Sequence, residues 1–363
     1  MNIHDLDTPA LVVDLDRLER NIARMADLVR EGGKRLRPHV KTHKTPEVGR
    51  MQLAAGASGI TVAKPGEAEA FADAGFDDIF LANQIVGSAK IERLLALARR
   101  VRLLVGVDSL DVAEPLSRRA AAAGLRIPVR LELDTGLDRA GLRTVEQAVA
   151  LGKDLARLEG IAVQGVFTHE GHLARMSPEA RRPAALEAAA KVRQVAAALR
   201  AAGIPAEEAS VGSTPGARDM AAAPGIDEMR PGVYVYYDLM QVQRGTIAAD
   251  DCALSVLTTV ISRPSREVAI TDGGTKTFSG DAGPEGSRFG LVTNDPSARF
   301  DWANEEHGHL DLRDATIQPR VGDVLRIVPW HACAAVNMHD TVFACRGERV
   351  EAVWQVAARG RIR

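Results

Sequence analysis

The sequence predicts an α/β fold: a TIM-like (β/α)8 barrel followed by a C-terminal all-β domain. The first two thirds of the chain alternate short apolar runs with alanine- and leucine-rich helical stretches, about eight β–α units in about 240 residues. No Gly-x-Gly-x-x-Gly motif follows the first apolar run, which argues against an open Rossmann-type sheet. After residue 245 the pattern changes to short strands separated by turns.

The elements follow in order along the chain. In the barrel domain, assigned to residues 1–245, the predicted strands are Ala10–Val13, Leu36–Lys41, Gly59–Ala63, Asp78–Ala82, Val101–Val107, Pro128–Asp134, Ala162–His169 and Ala209–Gly212. A further run, Met229–Tyr236, closes the barrel rim or leads out of it. Apolar spacing, alanine content and prolines near helix starts predict helices at Leu15–Arg30, Pro65–Ala74, Val145–Leu158 and Pro183–Ala202.

The domain assigned to residues 246–363 contains only strand patterns and turns. Its predicted strands are Ala253–Ser262, Glu267–Asp272, Asp323–Pro329, Thr341–Arg346 and Val350–Ala358, and Ser279–Ser287 is a turn-rich stretch. Short strands of this kind, separated by turn residues, are typical of an all-β domain.

Composition excludes several classes of protein. The 363 residues are 46% hydrophobic, and 46 basic against 48 acidic side chains give a net charge of -2, with no sign of a nucleic-acid or membrane surface. Three cysteines are too few for a disulfide framework, which favours a reducing compartment. Met1–Pro9 lacks the features of a signal peptide and no apolar run is long enough to span a membrane, so we expect a cytoplasmic protein.

Lys41 lies at the end of a predicted strand, within the basic stretch Arg37–Lys44. On a strand, His39 and Lys41 share one face, and in a barrel that face can point inward at the C-terminal end, where active sites lie. A lysine buried there is costly unless it is neutralised, paired or used covalently. A Schiff base with an aldehyde cofactor would remove that cost. From this pattern alone, an exposed basic strand end is an equally good interpretation.

Two more strand ends carry groups suited to an anionic cofactor. Arg139 follows Leu131–Asp134 and a glycine turn, and its guanidinium can hold a phenolate oxygen. His169 ends the next predicted strand and His172 follows it, and such histidines can stack on a ring or move protons. The alternatives are structural: an arginine that caps a helix, and histidines with satisfied hydrogen bonds.

A glycine- and hydroxyl-rich turn, Gly212–Gly216, follows a later strand. Its backbone N–H groups can cradle a phosphate, although many βα loops have this composition. The segment Arg230–Tyr234 comes next and would complete the phosphate cup.

His331 and Cys333 stand two positions apart in the β domain, and on one extended face they make a plausible two-ligand metal site. Sulfur plus nitrogen favours Zn²⁺ over Mg²⁺, with Mn²⁺ also open. Two protein ligands leave positions for water or substrate oxygens. The alternative is a strand histidine beside a buried free thiol.

Together these motifs resemble the alanine-racemase-like superfamily of pyridoxal 5′-phosphate (PLP) enzymes, and most closely its D-threonine aldolase and D-serine dehydratase branch. The resemblance covers essentially the whole chain. Its most specific parts are Pro38-His39-Val40-Lys41-Thr42-His43-Lys44 and His331-Ala332-Cys333, and Thr8–Asp14, Asp134–Gly136 and Arg230–Gly232 add to it.

The resemblance implies a role for each candidate residue. Lys41 would form the Schiff base, Arg139 would contact the phenolic oxygen of PLP, and Arg230 would face the pyridine nitrogen. His169 would lie near the ring, and our candidate for the catalytic base is His172 or a metal-bound hydroxide. The residues implied to hold the phosphate are Gly212, Ser213, Thr214, Gly232 and Val233, with Tyr234 beside them. His331 and Cys333 would bind a divalent metal (Zn, Mn or Mg), and relatives form head-to-tail homodimers.

We therefore expect a PLP- and metal-dependent lyase of D-β-hydroxy amino acids that cleaves D-threonine-type substrates to glycine and an aldehyde. The alternative is a D-serine-type dehydratase that yields a keto acid and ammonia, because dehydratases carry His-x-Cys where some D-threonine aldolases have aspartate at the position of Cys333. An amino-acid racemase would need a second base, usually a tyrosine of the β domain, and all three tyrosines precede that domain. A non-catalytic PLP-binding protein would lack the β domain.

Overall fold

The structure is a computed structural model that describes residues 1–285 and 288–363. Both predicted parts of the fold are present, a sheet of eight parallel strands and a mainly antiparallel β domain. Gly286 and Ser287, the last two residues of the turn-rich stretch predicted at Ser279–Ser287, lie outside the described residues. Within the described ranges, no helix is both long enough and apolar enough to cross a membrane.

Eight parallel strands form the barrel, and helices connect them because parallel neighbours need crossover connections. The strands are Arg35–Leu36, Ile60–Val62, Asp78–Leu81, Arg102–Val107, Ile127–Leu133, Ile161–Thr168, Glu208–Val211 and Glu228–Met229. The helices are Leu15–Glu31, before the first strand, then Pro46–Ala54, Pro65–Asp73, Ser88–Ala98, Leu110–Ala122, Val145–Leu155, Pro178–Ala201 and Ala217–Ala222. The ring closes next to Thr61, whose O accepts from Val40 N–H at 2.9 Å and whose N–H donates to Pro38 O at 2.8 Å.

The predicted strand Ala10–Val13 does not belong to the barrel. It forms Ala10–Asp14, which pairs antiparallel with Leu254–Ser265 and parallel with Thr341–Arg346 of the β domain. The strand has neighbours on both sides and its first four residues are buried, so its apolar run looked like a strand of a parallel sheet. The eighth barrel strand is Glu228–Met229, at the start of the predicted run Met229–Tyr236.

The first barrel strand is shorter than predicted. Its regular part is Arg35–Leu36, and Lys41 lies in a turn, so the prediction that His39 and Lys41 share a strand face was wrong. Pro38 cannot donate a hydrogen bond to a neighbouring strand, which weakens strand pairing at this point. His39 keeps a single bridge to Thr61 before the turn begins.

The β domain is one sheet of nine strands. In sheet order these are Val268–Thr271, Gly308–Asp311, Arg299–Ala303, Gly290–Val292, Val324–Pro329, Leu254–Ser265, Ala10–Asp14, Thr341–Arg346 and Arg349–Gln355. Leu254–Ser265 also pairs with Val268–Thr271, which closes six of the strands into a ring. Short helices at Leu239–Gln243, Thr275–Phe278 and Ala332–Val336 accompany the sheet.

The chain divides into two compact units, each built from three separate segments of the sequence. One consists of Met1–Ala23, Thr42–Val48 and Val233–Gly360, and the other of Arg24–Lys41, Gly49–Gly232 and Arg361–Arg363. The domain boundary between residues 245 and 246 stays a prediction.

A buried group of charges lies inside the barrel around Glu228, whose side chain is fully buried. Its carboxylate accepts from Arg37 Nε at 2.8 Å and from Arg130 Nη1 at 2.5 Å. Burial alone would raise the pKa of Glu228, but Arg130 and Arg37 lower it to about 2. The carboxylate is therefore ionised at neutral pH and compensates two buried guanidinium groups.

We expect Glu228→Gln to lower the free energy of unfolding by about 3–5 kcal/mol, because it removes the fully buried carboxylate shared by two buried guanidinium groups, whose other carboxylate partners are more exposed. Urea denaturation followed by circular dichroism measures the change. The matched control is Glu92→Gln, since Glu92 forms an exposed pair with Arg119 and should cost less than about 1 kcal/mol. Equal losses in the two variants would contradict a special role of Glu228.

Candidate active site

A cavity of about 300 Å³ lies at the carboxyl ends of the barrel strands. This is the end where barrel enzymes have their active sites, and the volume is within the range of small-molecule sites. The lining residues are His39, Lys41, Ala63, Ala82, Asn83, Gln84, Glu132, Arg139, Ala140, Phe167, His169, Gly212 and Arg230.

Five of the predicted site residues meet in this cavity: Lys41, Arg139, His169, Gly212 and Arg230. Each follows a different barrel strand, so the parallel arrangement itself brings them together. Three of the five carry a cationic group, which makes the cavity suitable for an anionic ligand.

Two hydrogen bonds and an aromatic contact fix the guanidinium group of Arg230. Its Nη2 donates to Thr168 O at 2.7 Å, its Nη1 donates to Ser210 Oγ, and its guanidinium lies 5.2 Å from the ring centre of Phe167. Burial lowers the pKa of Arg230 to about 10, so the group stays cationic at neutral pH. It can therefore donate hydrogen bonds to a ligand but cannot accept one.

The two lining histidines are neutral. His169 Nδ1 is hydrogen-bonded to Gly212 O, and because a carbonyl only accepts, Nδ1 carries the proton and Nε2 is left as an acceptor. Burial, with the positive charges of Lys41 and Arg139, lowers the pKa of His169 to about 3. Burial and the charge of Lys41 also hold the pKa of His39 well below its ordinary value.

Sequence reasoning missed the polar residues that accompany Arg139. Glu132 Oε1 lies 3.5 Å from Arg139 Nη2, and Glu132 Oε2 accepts from Gln84 Nε2 at 2.5 Å. Burial raises the pKa of Glu132. A signal was available, since Asn83 and Gln84 follow the predicted strand Asp78–Ala82 directly and Glu132 is a charged residue near the end of an apolar strand.

The turn Gly212–Gly216 contains one buried group without a partner. Thr214 Oγ1 has no hydrogen-bond partner among the described residues, which suits a ligand oxygen. Gly212 approaches Arg230 so closely that an added Cβ would lie 2.9 Å from the Cβ of Arg230. Its N–H donates to Glu170 Oε2 at 3.0 Å, and Ser213 Oγ accepts from Gly216 N–H at 3.2 Å.

The other three residues predicted at or beside the phosphate follow Arg230 and Pro231 in the sequence. Gly232 ends a segment of the barrel unit, whereas Val233 and Tyr234 belong to the short 3₁₀ helix Val233–Val235 of the other unit. A contact of these residues with a phosphate stays a prediction.

His172 lies in the 3₁₀ helix Gly171–Arg175 and is not among the described residues that line the cavity. Its ring packs against Gly136, where an added Cβ would lie 3.1 Å from His172 Nε2. Burial lowers the pKa of His172. Its role as the catalytic base stays a prediction.

His331 and Cys333 are not on one extended face, and that prediction was wrong. His331 is the residue before the helix Ala332–Val336, and Cys333 lies within the helix. Burial would lower the pKa of His331, but interactions with Cys333, Asp238 and Asp281 raise it to about 10. The helix start thus brings nitrogen and sulfur donors together in negatively charged surroundings, which suit a cation.

The two candidate ligands do not form part of a larger cluster. Over residues 1–285 and 288–363, no group of three or more His, Cys, Asp and Glu side chains is arranged to hold a metal ion. The hydroxyl of Thr42 lies 3.2 Å from Cys333 Sγ. A metal bound by His331 and Cys333 would therefore need water or substrate oxygens to complete its coordination.

Two family models match the chain. Residues 13–239 match the family described as "Alanine racemase, N-terminal domain", and residues 253–345 match the "Putative serine dehydratase domain". These matches, together with the fold, define the class as a PLP enzyme of fold type III. The chain belongs to the alanine-racemase-like family, in the group that includes D-threonine aldolases and D-serine dehydratases.

The relatives that match nearly the full length of the chain include both dehydratases and aldolases. The chain is 39% identical to the D-threo-3-hydroxyaspartate dehydratase of Delftia sp. (strain HT23), over 91% of each chain. It is 34% identical to the crystal structure of the D-threonine aldolase of Filomicrobium marinum, with a TM-score of 0.91 over 99% of this chain and 98% of that one.

Solved variants of a D-threo-3-hydroxyaspartate dehydratase are also similar. One replaces a cysteine by alanine and is in the metal-free form; it is 37% identical, with a TM-score of 0.91 over 98% of each chain. Another replaces a histidine two positions earlier. The spacing of that pair equals the spacing of His331 and Cys333.

We expect Thr214→Val to weaken PLP binding about tenfold or more, because a hydrogen bond to a charged group is worth about 1.5–3 kcal/mol. The stability of the PLP-free protein should not fall, since Thr214 Oγ1 has no partner to lose. Fluorescence titration with PLP and urea denaturation measure the two effects.

The matched control is Thr258→Val. Thr258 Oγ1 donates to Asp272 Oδ1 at 2.6 Å in the β domain, so this variant should lose stability and keep its affinity for PLP. Unchanged PLP affinity in Thr214→Val would remove Thr214 from the phosphate site.

Proposed function

We propose that this chain is a PLP- and divalent-metal-dependent lyase that acts on D-β-hydroxy amino acids. One observation carries the proposal: Lys41, Arg139, His169 and Arg230 come from four strand ends and line a single cavity. The set comprises an amine for an aldehyde cofactor, two guanidinium groups for its oxygen and ring nitrogen, and an imidazole for its ring. The names of the full-length relatives support the substrate class.

When bound, PLP supplies an electron sink for carbanion chemistry at the substrate. Lys41 would hold the cofactor aldehyde covalently and, once displaced by a substrate amine, would be an amine that can carry protons. Arg230 would face the ring nitrogen, which must accept because a guanidinium at neutral pH only donates. Arg139, kept near Glu132, would donate to the phenolic oxygen.

His331 and Cys333 would bind a divalent metal that acts as a Lewis acid toward the substrate hydroxyl. The donor set and the negatively charged surroundings support this assignment. Further support is the spacing of the His and Cys replaced in the dehydratase variants, one of which is metal-free. Thr42, whose hydroxyl contacts Cys333 Sγ, is the residue after Lys41 in the sequence.

Retro-aldol cleavage of D-threonine-type substrates is the first candidate reaction, supported by similarity to a D-threonine aldolase over 99% of the chain. It needs a base for the hydroxyl proton, a role for which His172 is our candidate. Dehydration is the second candidate. It is favoured by the His-x-Cys pair and by 39% identity to a dehydratase, and in it Lys41 would remove the Cα proton.

A head-to-tail homodimer and a cytoplasmic location follow only from the resemblance and from composition. Both stay predictions. Small-molecule amino acid substrates fit the enzyme family.

We expect borohydride reduction of the PLP-loaded protein to fix the cofactor on Lys41, because the reduced link resists proteolysis and denaturation. Peptide mass spectrometry identifies the modified lysine. Lys41→Ala should give no modified peptide. Modification of a neighbour such as Lys44 would contradict the assignment.

We expect the protein to convert D-threonine, D-serine or D-3-hydroxyaspartate but not their L-enantiomers, and to lose activity when a chelator removes the metal. Restoring Zn²⁺ or Mn²⁺ should restore activity. Aldehyde and glycine mark retro-aldol cleavage, whereas keto acid and ammonia mark dehydration. Full activity in the presence of chelator would refute the metal requirement.

A further inference from the structure

The ring of His331 has a carboxylate partner 50 residues earlier in the sequence. Asp281 Oδ2 is hydrogen-bonded to His331 Nδ1. A carboxylate at neutral pH only accepts, so Nδ1 is the donor and holds a proton. Because a metal needs a ring nitrogen without a proton, binding would displace a proton from His331, and the hydrogen bond to Asp281 leaves Nε2 as the atom that gives it up and coordinates.

We infer that Asp281 is a positioning residue that fixes the orientation and tautomer of His331 so that Nε2 is presented to the metal. This inference rests on the proposed function, since it assigns a role beside the proposed metal pair.

The segment that carries Asp281 is fixed at both sides of the carboxylate. Asp281 N–H donates to Ser279 Oγ at 3.1 Å. Gly283 packs on Trp330 so closely that an added Cβ would lie 2.5 Å from the indole. Since Trp330 immediately precedes His331, this contact holds the segment next to the ring that Asp281 binds.

A second carboxylate fixes the backbone of the same site. Asp238 is fully buried; its Oδ2 accepts from Ala332 N–H at 2.9 Å and its Oδ1 from Gln241 N–H at 3.0 Å. Ala332 is the residue between His331 and Cys333. Asp238 thus holds the peptide between the two candidate ligands, and Asp281 holds the imidazole itself.

Asp281 is not arranged as a third ligand. The two nitrogens of an imidazole point in different directions, so a carboxylate bonded to Nδ1 does not share an ion with Nε2. In agreement, His331, Cys333 and Asp281 do not form a three-residue metal cluster in the described structure. Asp281 acts on the metal through His331.

The test compares Asp281→Ala, Asp281→Asn and a control in the PLP-loaded enzyme after removal of metal. Competition with a chromophoric chelator gives the dissociation constant for Zn²⁺. We expect Asp281→Ala to weaken binding about 10–100-fold, the usual effect of losing a carboxylate that orients a ligand histidine. Asp281→Asn should lose less, because its amide oxygen still accepts from Nδ1–H.

Asp314→Ala is the matched control, since Asp314 is a more exposed aspartate of the β domain whose nearest ion-pair partner, Arg299, is 3.9 Å away. It should bind Zn²⁺ like the unmodified protein. Asp281 has a side chain 48% exposed, so its variants should fold, and thermal melting verifies this.

His331→Ala and Cys333→Ala separate failure of this inference from failure of the proposed metal site. If both abolish Zn²⁺ binding and Asp281→Ala leaves it within twofold, Asp281 has no positioning role. A loss in Asp281→Ala as complete as in His331→Ala would make Asp281 a ligand and also overturn the inference. Unchanged binding in His331→Ala and Cys333→Ala would refute the metal site itself.

Discussion

The orientation of Arg230 depends on a buried negative charge at Glu228. Arg230 Nη1 donates to Ser210 Oγ, and Ser210 Oγ donates to Glu228 Oε1 at 2.7 Å. Glu228 is kept ionised by Arg37 and Arg130. Because Arg230 is both buried and charged, it needs this relay and the carbonyl of Thr168 to fix its plane. The ion cluster inside the barrel therefore helps to fix the charged group that Arg230 presents to the cavity.

The same excess of positive charge explains the histidines. Lys41, Arg139 and Arg230 surround His39 and His169, and a further proton on either imidazole would be repelled as well as desolvated. Both rings are consequently fixed as neutral hydrogen-bonding groups. In such a cavity the cations suit an anionic ligand such as the proposed cofactor, and the histidines would orient it without adding charge.

The sequence was sufficient for features that depend on local pattern. The spacing of apolar residues and the lengths of the apolar and helical runs identified the α/β barrel and the β domain. They also identified the strand ends that carry Arg139, His169 and Gly212. The sequence was not sufficient for features that are determined by contacts between residues far apart in the chain. The apolar run at Ala10 fits a barrel strand and a sheet strand equally, and only its pairing partners at Leu254 and Thr341 settle which sheet it joins.

Side-chain relations across long sequence separations were missed for the same reason. Glu132 and Gln84 are 48 residues apart and meet because their strand ends are close in the barrel. His331 and Cys333 were recognised as a pair by their spacing, but their geometry depends on the start of a helix, Ala332–Val336, that is too short to show helical periodicity in the sequence. Asp281 lies in a turn-rich stretch without a motif that would mark it as a site residue.

Both candidate reactions require activation of the β-hydroxyl group of the substrate, which bears on the role of the proposed metal. Retro-aldol cleavage must remove the proton of the β-hydroxyl, and dehydration must turn that hydroxyl into a leaving group. An imidazole with a pKa of about 3, such as His169, is too weak a base to take a hydroxyl proton at neutral pH unless the hydroxyl is first made more acidic. Lys41 is the only amine among the described lining residues, and it suits proton transfer at Cα. In either reaction, activation of the substrate oxygen would be the role of the metal proposed at His331 and Cys333, and the precision with which His331 is held would then affect both reactions.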